Sequence, residues 1–345
     1  MTRRDLRIET LRGLACLLLV AYHAVGDDTR GLRLPADSLL RWLSDSFVYL
    51  RMPLFTFLSG YVYAIRPAQA GTLVPFFRGK IRRLLLPLVF VGLAYHFIQG
   101  HLGGVNIPPT RGLTFLFFSY DHFWYLQALF LIFCIIYVVD TSGLGHKLRR
   151  LWILVAVSFV VLPHIRFAAD PFSINGAFYL LPYFLLGVAF RRTDRLHDPA
   201  QLPRLFTVVS GIAVLAFAVW HQAELAGWIQ HYLSPDRLSG QAYSALCISF
   251  LYSLAFTSTF LATIGKYSYS IYLFHVFGTA GSRIALTHLG IEQPAALFAG
   301  SMLAGLLLPV LLERIFDRYA PTRMLLLGRA WFKSTGPRPP SPATP

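Results

Sequence analysis

Apolar segments recur along nearly the whole chain and are separated by short polar stretches. A helix needs about 20 apolar residues to cross the hydrocarbon layer of a membrane, so these segments predict transmembrane helices. The sequence predicts an all-α, polytopic membrane domain over residues 1–318 and a cytoplasmic tail over residues 319–345, Pro-rich and disordered from about 334. The ten predicted spans are residues 11–25, 46–65, 83–99, 115–139, 151–165, 173–190, 205–222, 242–263, 268–286 and 295–313.

The composition agrees with a membrane protein, because 55% of the 345 residues are hydrophobic and only 14% are charged. A soluble domain of this size would have about 25% charged residues. The three cysteines, Cys16, Cys134 and Cys247, lie in separate apolar segments. We therefore interpret them as small buried hydrophobic residues and predict neither a disulfide set nor a metal cluster.

The net charge of +15 is distributed unevenly along the chain. If the N-terminus is cytoplasmic, most Lys and Arg residues lie before the first span, in the even-numbered loops and after the last span. This positive-inside asymmetry predicts an even number of spans with both termini in the cytoplasm. It also argues against a nucleic acid partner, whereas membrane lipid or an anionic cytosolic ligand remains compatible.

The first apolar segment carries Arg12 and His23, eleven residues apart. Eleven residues are about three helical turns, so both side chains share one face about 16 Å apart along the axis. Ionisable groups are costly inside a bilayer and often mark a functional site. The alternative is an interfacial Arg that extends to the headgroups and a His bonded to a neighbouring helix.

With this orientation His23, Arg51, His122 and His275 fall at compatible depths in the outer half of four different predicted helices. The sequence does not tell whether they converge laterally. Zinc sites usually take some ligands from one short motif, and these histidines are scattered singly, so we predict no metal site. Trp124 alone would be typical of an aromatic belt at the membrane surface.

The inner side carries a dense basic run just before the third predicted span, with Arg78, Lys80, Arg82 and Arg83. The simplest interpretation is topology and contact with lipid headgroups. A phosphate-rich ligand such as coenzyme A would favour the same cluster, because Arg and Lys pair well with phosphate oxygens. Arg12, at the inner end of the first span, could add to it.

Five segments carry a pattern in a fixed order: residues 8–15 followed by His23, residues 52–61, residues 78–87, residues 122–126 and residues 270–275. Together they resemble the signatures of the acyltransferase-3 family of integral membrane proteins, which O-acylate glycans and other cell-surface molecules. The chain departs from the family's pattern at two positions: Arg51 stands where the fucose 4-O-acetylase-like branch often has His, and Glu9 stands where many relatives have Asp. We also recognise no C-terminal hydrolase-like domain.

The resemblance implies an acyltransferase of a bacterial inner membrane that uses cytosolic acyl-CoA, with acetyl the favoured group, and has no permanently bound cofactor. The acceptor would be a hydroxyl of an envelope or exported glycan or glycolipid. His23 would act as general base or as transient acyl carrier, since an imidazole suits both roles. Arg12 would steady the donor or the helix register, while His122 and His275 would orient substrate or pair with His23.

Arg51 could stabilise a developing oxyanion. Together with the roles above, these assignments give three predicted sets of site residues: His23, Arg12, His122 and His275 as catalytic residues, Arg12, Lys80, Arg82 and Arg83 as donor-binding residues, and Glu9, Arg51, Ser59, Trp124, Tyr125 and Tyr272 as substrate-binding residues.

A transporter of a metabolite or lipid-linked glycan is the alternative, since intramembrane histidines also serve proton relays. The absence of an obvious internal repeat weighs against it. The sequence leaves open the acceptor, a longer acyl group such as succinyl, and the oligomeric state.

Overall fold

A computed structural model describes residues 5–101, 112–230, 233–235 and 237–332. The described residues are all-helical and contain fourteen α-helices and no strand. The predicted disordered part of the tail, from about residue 334, lies outside the described residues. The helices are α1 (Leu6–Val25), α2 (Leu39–Ser46), α3 (Arg51–Tyr63), α4 (Leu73–Lys80), α5 (Leu86–His101), α6 (Trp124–Thr141), α7 (Leu148–Val161), α8 (Ile174–Arg192), α9 (Arg204–Leu225), α10 (Leu238–Ser253), α11 (Thr259–Lys266), α12 (Ser268–His288), α13 (Pro294–Phe316) and α14 (Ala320–Leu325).

Six helical stretches of the described chain are long and apolar enough to cross a membrane. The prediction of a helical, multi-pass chain is thereby confirmed. Among the other predicted spans, some correspond to shorter helices; α3, for example, has 13 residues and is about 20 Å long. The predicted span 268–286 corresponds to α12, which has 21 residues but is not one of the six. The six stretches are Leu6–Val25, Leu73–His101, Asp121–Thr141, Ile174–Arg192, Arg204–Leu225 and Pro294–Phe316.

The predicted span 242–263 differs from the structure, which divides it into α10 and α11. Between the two helices Ala255 has φ +51°, in the left-handed region that ends a helix. Ser258 then begins α11 by accepting a hydrogen bond from the Leu261 amide. Apolar side chains continue through this break, so hydropathy alone gave no sign of it.

The predicted span 83–99 begins too late, because α4 and α5 are joined into one long element by a π turn over Ile81–Leu85. A π turn leaves a backbone carbonyl without its usual helical partner. Here the Tyr269 hydroxyl of α12 donates to the Arg83 carbonyl of that turn. Two of the predicted donor-binding cations, Arg82 and Arg83, therefore lie on an irregular turn that α12 supports.

The central helices pack with their backbones in close contact. A Cβ atom on Gly13 would lie 1.9 Å from the Leu261 carbonyl oxygen, and one on Gly265 would lie 2.0 Å from the Glu9 carbonyl oxygen. On another pair, a Cβ on Gly60 of α3 would lie 2.0 Å from a backbone oxygen of α8. Small residues allow such approach between membrane helices, and here they set α1 firmly against α11.

The bundle has two ends, which we name by their side chains. The histidine side is the end where α1 finishes at Val25 and α3 begins at Arg51, and the basic side is the end where α1 starts and the π turn lies. On the basic side, the buried Asp140 carboxylate accepts from both terminal nitrogens of Arg192, at 2.8 and 2.7 Å, and from the Tyr63 hydroxyl at 2.6 Å. This pairing ties the ends of α3, α6 and α8 together.

Candidate active site

Three histidines from three different parts of the chain meet in the bundle. The ring centres of His23 and His275 are 4.7 Å apart, those of His122 and His275 are 5.2 Å apart, and those of His23 and His122 are 6.3 Å apart. We call this group the histidine cluster. It consists of His23 near the end of α1, His122 just before α6, and His275 in α12.

Backbone carbonyls determine which nitrogen of His122 and of His275 carries the proton. His275 Nδ1 lies 2.9 Å from the carbonyl oxygens of both Ile271 and Tyr272, so it is the donor. His122 Nε2 lies 3.3 Å from the Leu273 carbonyl oxygen and is the donor there. The other nitrogens, His275 Nε2 and His122 Nδ1, are buried and have no hydrogen-bond partner among the described residues. Each therefore presents an unused lone pair inside the cluster.

His23 differs from the other two, because it is partly accessible. Neither of its ring nitrogens has a hydrogen-bond partner among the residues that the structure describes, and its ring is held edge-on by Tyr22 at 5.0 Å between centres. An accessible imidazole beside two buried lone pairs is suited to accept and pass a proton.

Arg51 lies next to the histidine cluster, at the start of α3. Its guanidinium lies 4.1 Å from the centre of the Tyr22 ring and donates to the Ser44 carbonyl at 3.3 Å. The side chain is only 5% exposed, and its charge is close enough to act on His23. The Tyr22 ring thus lies between a buried cation and the imidazole that we expect to react.

The sequence analysis missed a second cation near the cluster, Arg30. It pairs with Asp121 at 3.1 Å, and the Tyr95 hydroxyl donates to the same carboxylate. Asp121 directly precedes His122, so this pair anchors the backbone that carries one of the three rings. The sequence shows that Asp121 and His122 are adjacent, but it does not show that Asp121 pairs with Arg30, which lies 91 positions away.

Arg30 is presented by a tight turn that follows α1. Gly26 and Gly31 form a β-bridge, both with positive φ, and Asp27 accepts from the Thr29 amide at 2.8 Å, the Thr29 hydroxyl at 2.7 Å and the Arg30 amide at 3.0 Å. Burial by itself would raise the pKa of Asp27, but these hydrogen bonds outweigh it and lower the pKa. The ionised carboxylate therefore holds the turn.

Two tyrosines connect the cluster with the interior below it. The Tyr272 hydroxyl donates to the His122 carbonyl at 2.5 Å, and its ring lies 5.4 Å from that of Tyr125. The Tyr125 hydroxyl accepts a hydrogen bond from the Thr56 hydroxyl at 3.5 Å and is also within bonding range of Ser59. Tyr272 and Tyr125 therefore link the histidine cluster to the hydroxyl side chains of α3.

Glu9 and Trp124 lie outside the histidine cluster. Glu9 is buried on the basic side, where Arg12 donates to its carboxylate at 2.9 Å. Fourteen residues separate it from His23 along α1, a distance of about 21 Å. Trp124 packs its ring against Gly176 of α8, where a Cβ would lie 2.7 Å away. The structure thus gives Glu9 a pairing role and Trp124 a packing role.

The predicted donor-binding cations lie on the basic side. The Lys80 ammonium lies 3.5 Å from the centre of the Phe133 ring, and the Arg83 guanidinium lies 5.4 Å from that of Tyr269. Arg82 is half-buried in the same π turn. Aromatic faces attract cations without occupying their N–H donors, so these contacts leave the donors of Lys80 and Arg83 open to an anion.

The family model for the acyltransferase domain of acyltransferase-3 proteins matches residues 5–314. The chain belongs to the acyltransferase-3 family. No curated protein and no solved structure matches it. The acyltransferase-3 match covers nearly the whole chain and includes every segment on which the resemblance in the sequence was based.

Membership of the acyltransferase-3 family, with the apolar helices, makes the protein a multi-pass membrane acyltransferase. The histidine cluster is the candidate active site of this acyltransferase-3 chain, because it brings together three imidazoles from distant parts of the matched region. Among the residues that the structure describes, no group of three or more His, Cys, Asp or Glu side chains has the geometry of a metal site.

Proposed function

We propose that this acyltransferase-3 protein transfers an acetyl group from cytosolic acetyl-CoA to a hydroxyl of an envelope or exported glycan. The observation that carries the proposal is the meeting of His23, His122 and His275, with unused lone pairs on the last two. Proton removal from a hydroxyl requires such a base at the reacting oxygen.

The proposed topology has ten spans in a bacterial inner membrane, with both termini in the cytoplasm. The distribution of Lys and Arg supports it, since the positive-inside rule assigns the basic side to the cytosol. The histidine side then faces outward, and the acceptor glycan approaches from there. Donor and acceptor would enter from opposite faces of the membrane.

The proposed donor site is on the basic side. Lys80, Arg82 and Arg83 would bind the phosphates of coenzyme A, because charge-assisted bonds to phosphate are strong. The thioester must then reach His23, which lies about 16 Å beyond Arg12 along α1. An extended pantetheine arm is long enough for this distance, and the hydroxyls of Thr56, Ser59 and Tyr125 lie along the way.

In the direct mechanism, His23 takes the proton of the acceptor hydroxyl as its oxygen attacks the thioester carbonyl. The C–S bond then breaks, and the leaving thiolate receives the proton from His23. In the carrier mechanism, a His23 nitrogen first attacks the thioester carbonyl, the C–S bond breaks, and the leaving thiolate takes the proton of the other ring nitrogen. The glycan hydroxyl oxygen then attacks the acetyl carbon, the C–N bond breaks, and the hydroxyl proton returns to the imidazole. In both, the His122 Nδ1 and His275 Nε2 lone pairs accept hydrogen bonds that orient the reacting groups, and Arg51 stabilises negative charge on the carbonyl oxygen.

The test is transfer of label from acetyl-CoA labelled in the acetyl group to glycan, in membranes containing the protein. His23→Ala should lower the rate by about 10²–10⁴-fold while the protein remains inserted at normal levels. His23→Gln, which keeps polarity without an imidazole base, should be equally impaired. Normal transfer by a well-folded His23→Ala protein would contradict the mechanism. Uptake of a solute into vesicles without covalent transfer would contradict the proposed function and favour a transporter.

A further inference from the structure

The chain after α13 folds back against the basic side of the bundle. We call residues 320–332, which comprise α14 and the segment after it, the C-terminal cap. Gly328 in the cap lies directly on the π turn: a Cβ there would be 2.7 Å from the Arg83 Cα and 2.8 Å from the Arg82 carbonyl oxygen. Leu327 beside it is only 2% exposed. The cap is therefore packed against the backbone that carries two of the proposed donor-binding cations.

Charged side chains hold the cap in this position. Arg329 pairs with Glu313 near the end of α13 and with Asp317 at 2.9 Å. Within the cap, the buried Arg323 donates to the carbonyls of Ala330 and Trp331. These bonds set the shape of the segment and its attachment to α13.

Helix α12 contacts the π turn from a second direction. Tyr269 donates to the Arg83 carbonyl, and the Arg83 side chain lies over the Tyr269 ring. The turn is thus enclosed between α12 and the cap. The match to the acyltransferase-3 family ends at residue 314, so the cap belongs to the part of this chain that the family model does not cover.

We infer that the C-terminal cap is part of the donor site and positions the π turn so that Arg82 and Arg83 meet the phosphates of a nucleotide-bearing thioester. This inference rests on the proposed function, which supplies the donor. A turn that moves freely must be ordered when the ligand binds, and that ordering weakens affinity. A turn already clamped by the cap and by α12 presents its cations in place.

Gly328→Ala is the first test, because the added methyl group would overlap the backbone at Arg82 and Arg83. The matched control is Gly290→Ala. Both glycines have positive φ, +61° at Gly328 and +77° at Gly290, so both variants carry similar backbone strain. At Gly290, however, no atom lies within 4 Å of the new Cβ. Only Gly328→Ala should displace the cap.

The assay compares acetyl-CoA with acetyl-pantetheine, the same thioester without the nucleotide and its phosphates. For Gly328→Ala we expect the KM for acetyl-CoA to rise about tenfold, as for the loss of one charge-assisted contact. The kcat and the KM for acetyl-pantetheine should stay unchanged, because the histidine cluster is untouched. Gly290→Ala should match the unmodified protein with both thioesters.

Arg329→Gln is the second test. It removes the ion pairs that hold the cap and introduces no steric overlap with the π turn. It should raise the KM for acetyl-CoA in the same selective way, whereas Arg318→Gln, at an exposed neighbouring cation, should not. If neither Gly328→Ala nor Arg329→Gln changes the KM for acetyl-CoA, or if the KM rises equally for both thioesters, the inference about the cap is overturned. If the unmodified protein transfers acetyl from neither thioester, the proposed function itself fails.

Discussion

The two nitrogens of His275 have separate roles that substitution can distinguish. Nδ1 donates to the carbonyls of Ile271 and Tyr272, while Nε2 is buried without a partner and would act on the reacting groups. An Asn side chain places its amide nitrogen near the position of Nδ1, and a Gln side chain places it near Nε2. We therefore predict that His275→Asn preserves folding and loses activity.

The size of each effect follows from the contacts. His275→Asn keeps the donor to the two carbonyls, so its unfolding free energy should change by less than about 1.5 kcal/mol, the usual contribution of one hydrogen bond. It removes the Nε2 lone pair, and loss of a group that assists proton transfer should lower kcat by about 10²-fold or more. His275→Ala removes both functions and should be less stable and equally inactive.

The assay measures kcat for acetyl transfer together with the thermal midpoint in detergent. His122 gives the converse control, because there Nε2 is the donor to Leu273 and Nδ1 has no partner. His122→Gln should therefore be the folded but impaired variant at that position. If His275→Asn transfers acetyl at the normal rate, the buried Nε2 lone pair has no part in the reaction.

Three further predictions concern helix packing, ion pairing and pH. Gly265→Ala should lower the unfolding free energy by about 1–3 kcal/mol, because its Cβ would lie 2.0 Å from the Glu9 carbonyl oxygen. Asp140→Asn should lower it by about 3–5 kcal/mol, since Arg192 would be left buried without its carboxylate. The lowered pKa of Asp27 means that the turn after α1 is stabilised above pH 3.8 and loses that stabilisation as the pH falls through the lower folded value. Pepsin cleavage of that turn should rise over this range, and Asp27→Asn should be cleaved at every pH tested.

Matched controls separate these mechanisms from general damage. Gly281→Ala, where no atom lies within 4 Å of the new Cβ, should leave the thermal midpoint unchanged. Tyr63→Phe removes the hydrogen bond to Asp140 and the one from the Ala68 amide but keeps the ion pair, so it should cost about 2 kcal/mol. Asp28→Asn, at the adjacent exposed carboxylate, should leave the acid dependence of cleavage in place. If a variant and its control have equal effects, the physical cause given for that prediction is contradicted.

The sequence predicted the depth of each histidine but not their meeting. Depth follows from position within an apolar segment, which is a local property of the chain. The 4.7 Å between the rings of His23 and His275 depends instead on the close backbone contact of α1 with α11 and on the path of α12, which one sequence does not encode visibly. The sequence analysis missed the pairing of Arg30 with Asp121 for the same reason. The sequence analysis also missed the break before Ser258, because hydropathy does not report a serine that caps a helix.

The two ends of the site are joined by one rigid element, the first two turns of α12. Tyr269 there holds the π turn at Arg83, Tyr272 donates to the backbone of His122, and His275 belongs to the histidine cluster. A helix does not stretch, so residues 269–275 keep a constant distance between the π turn and His275. The spacing between the proposed phosphate site and the histidine cluster is therefore set by the length of this part of α12. Because that length is constant, a thioester whose arm differs from pantetheine should bind at the π turn and still fail to reach His23.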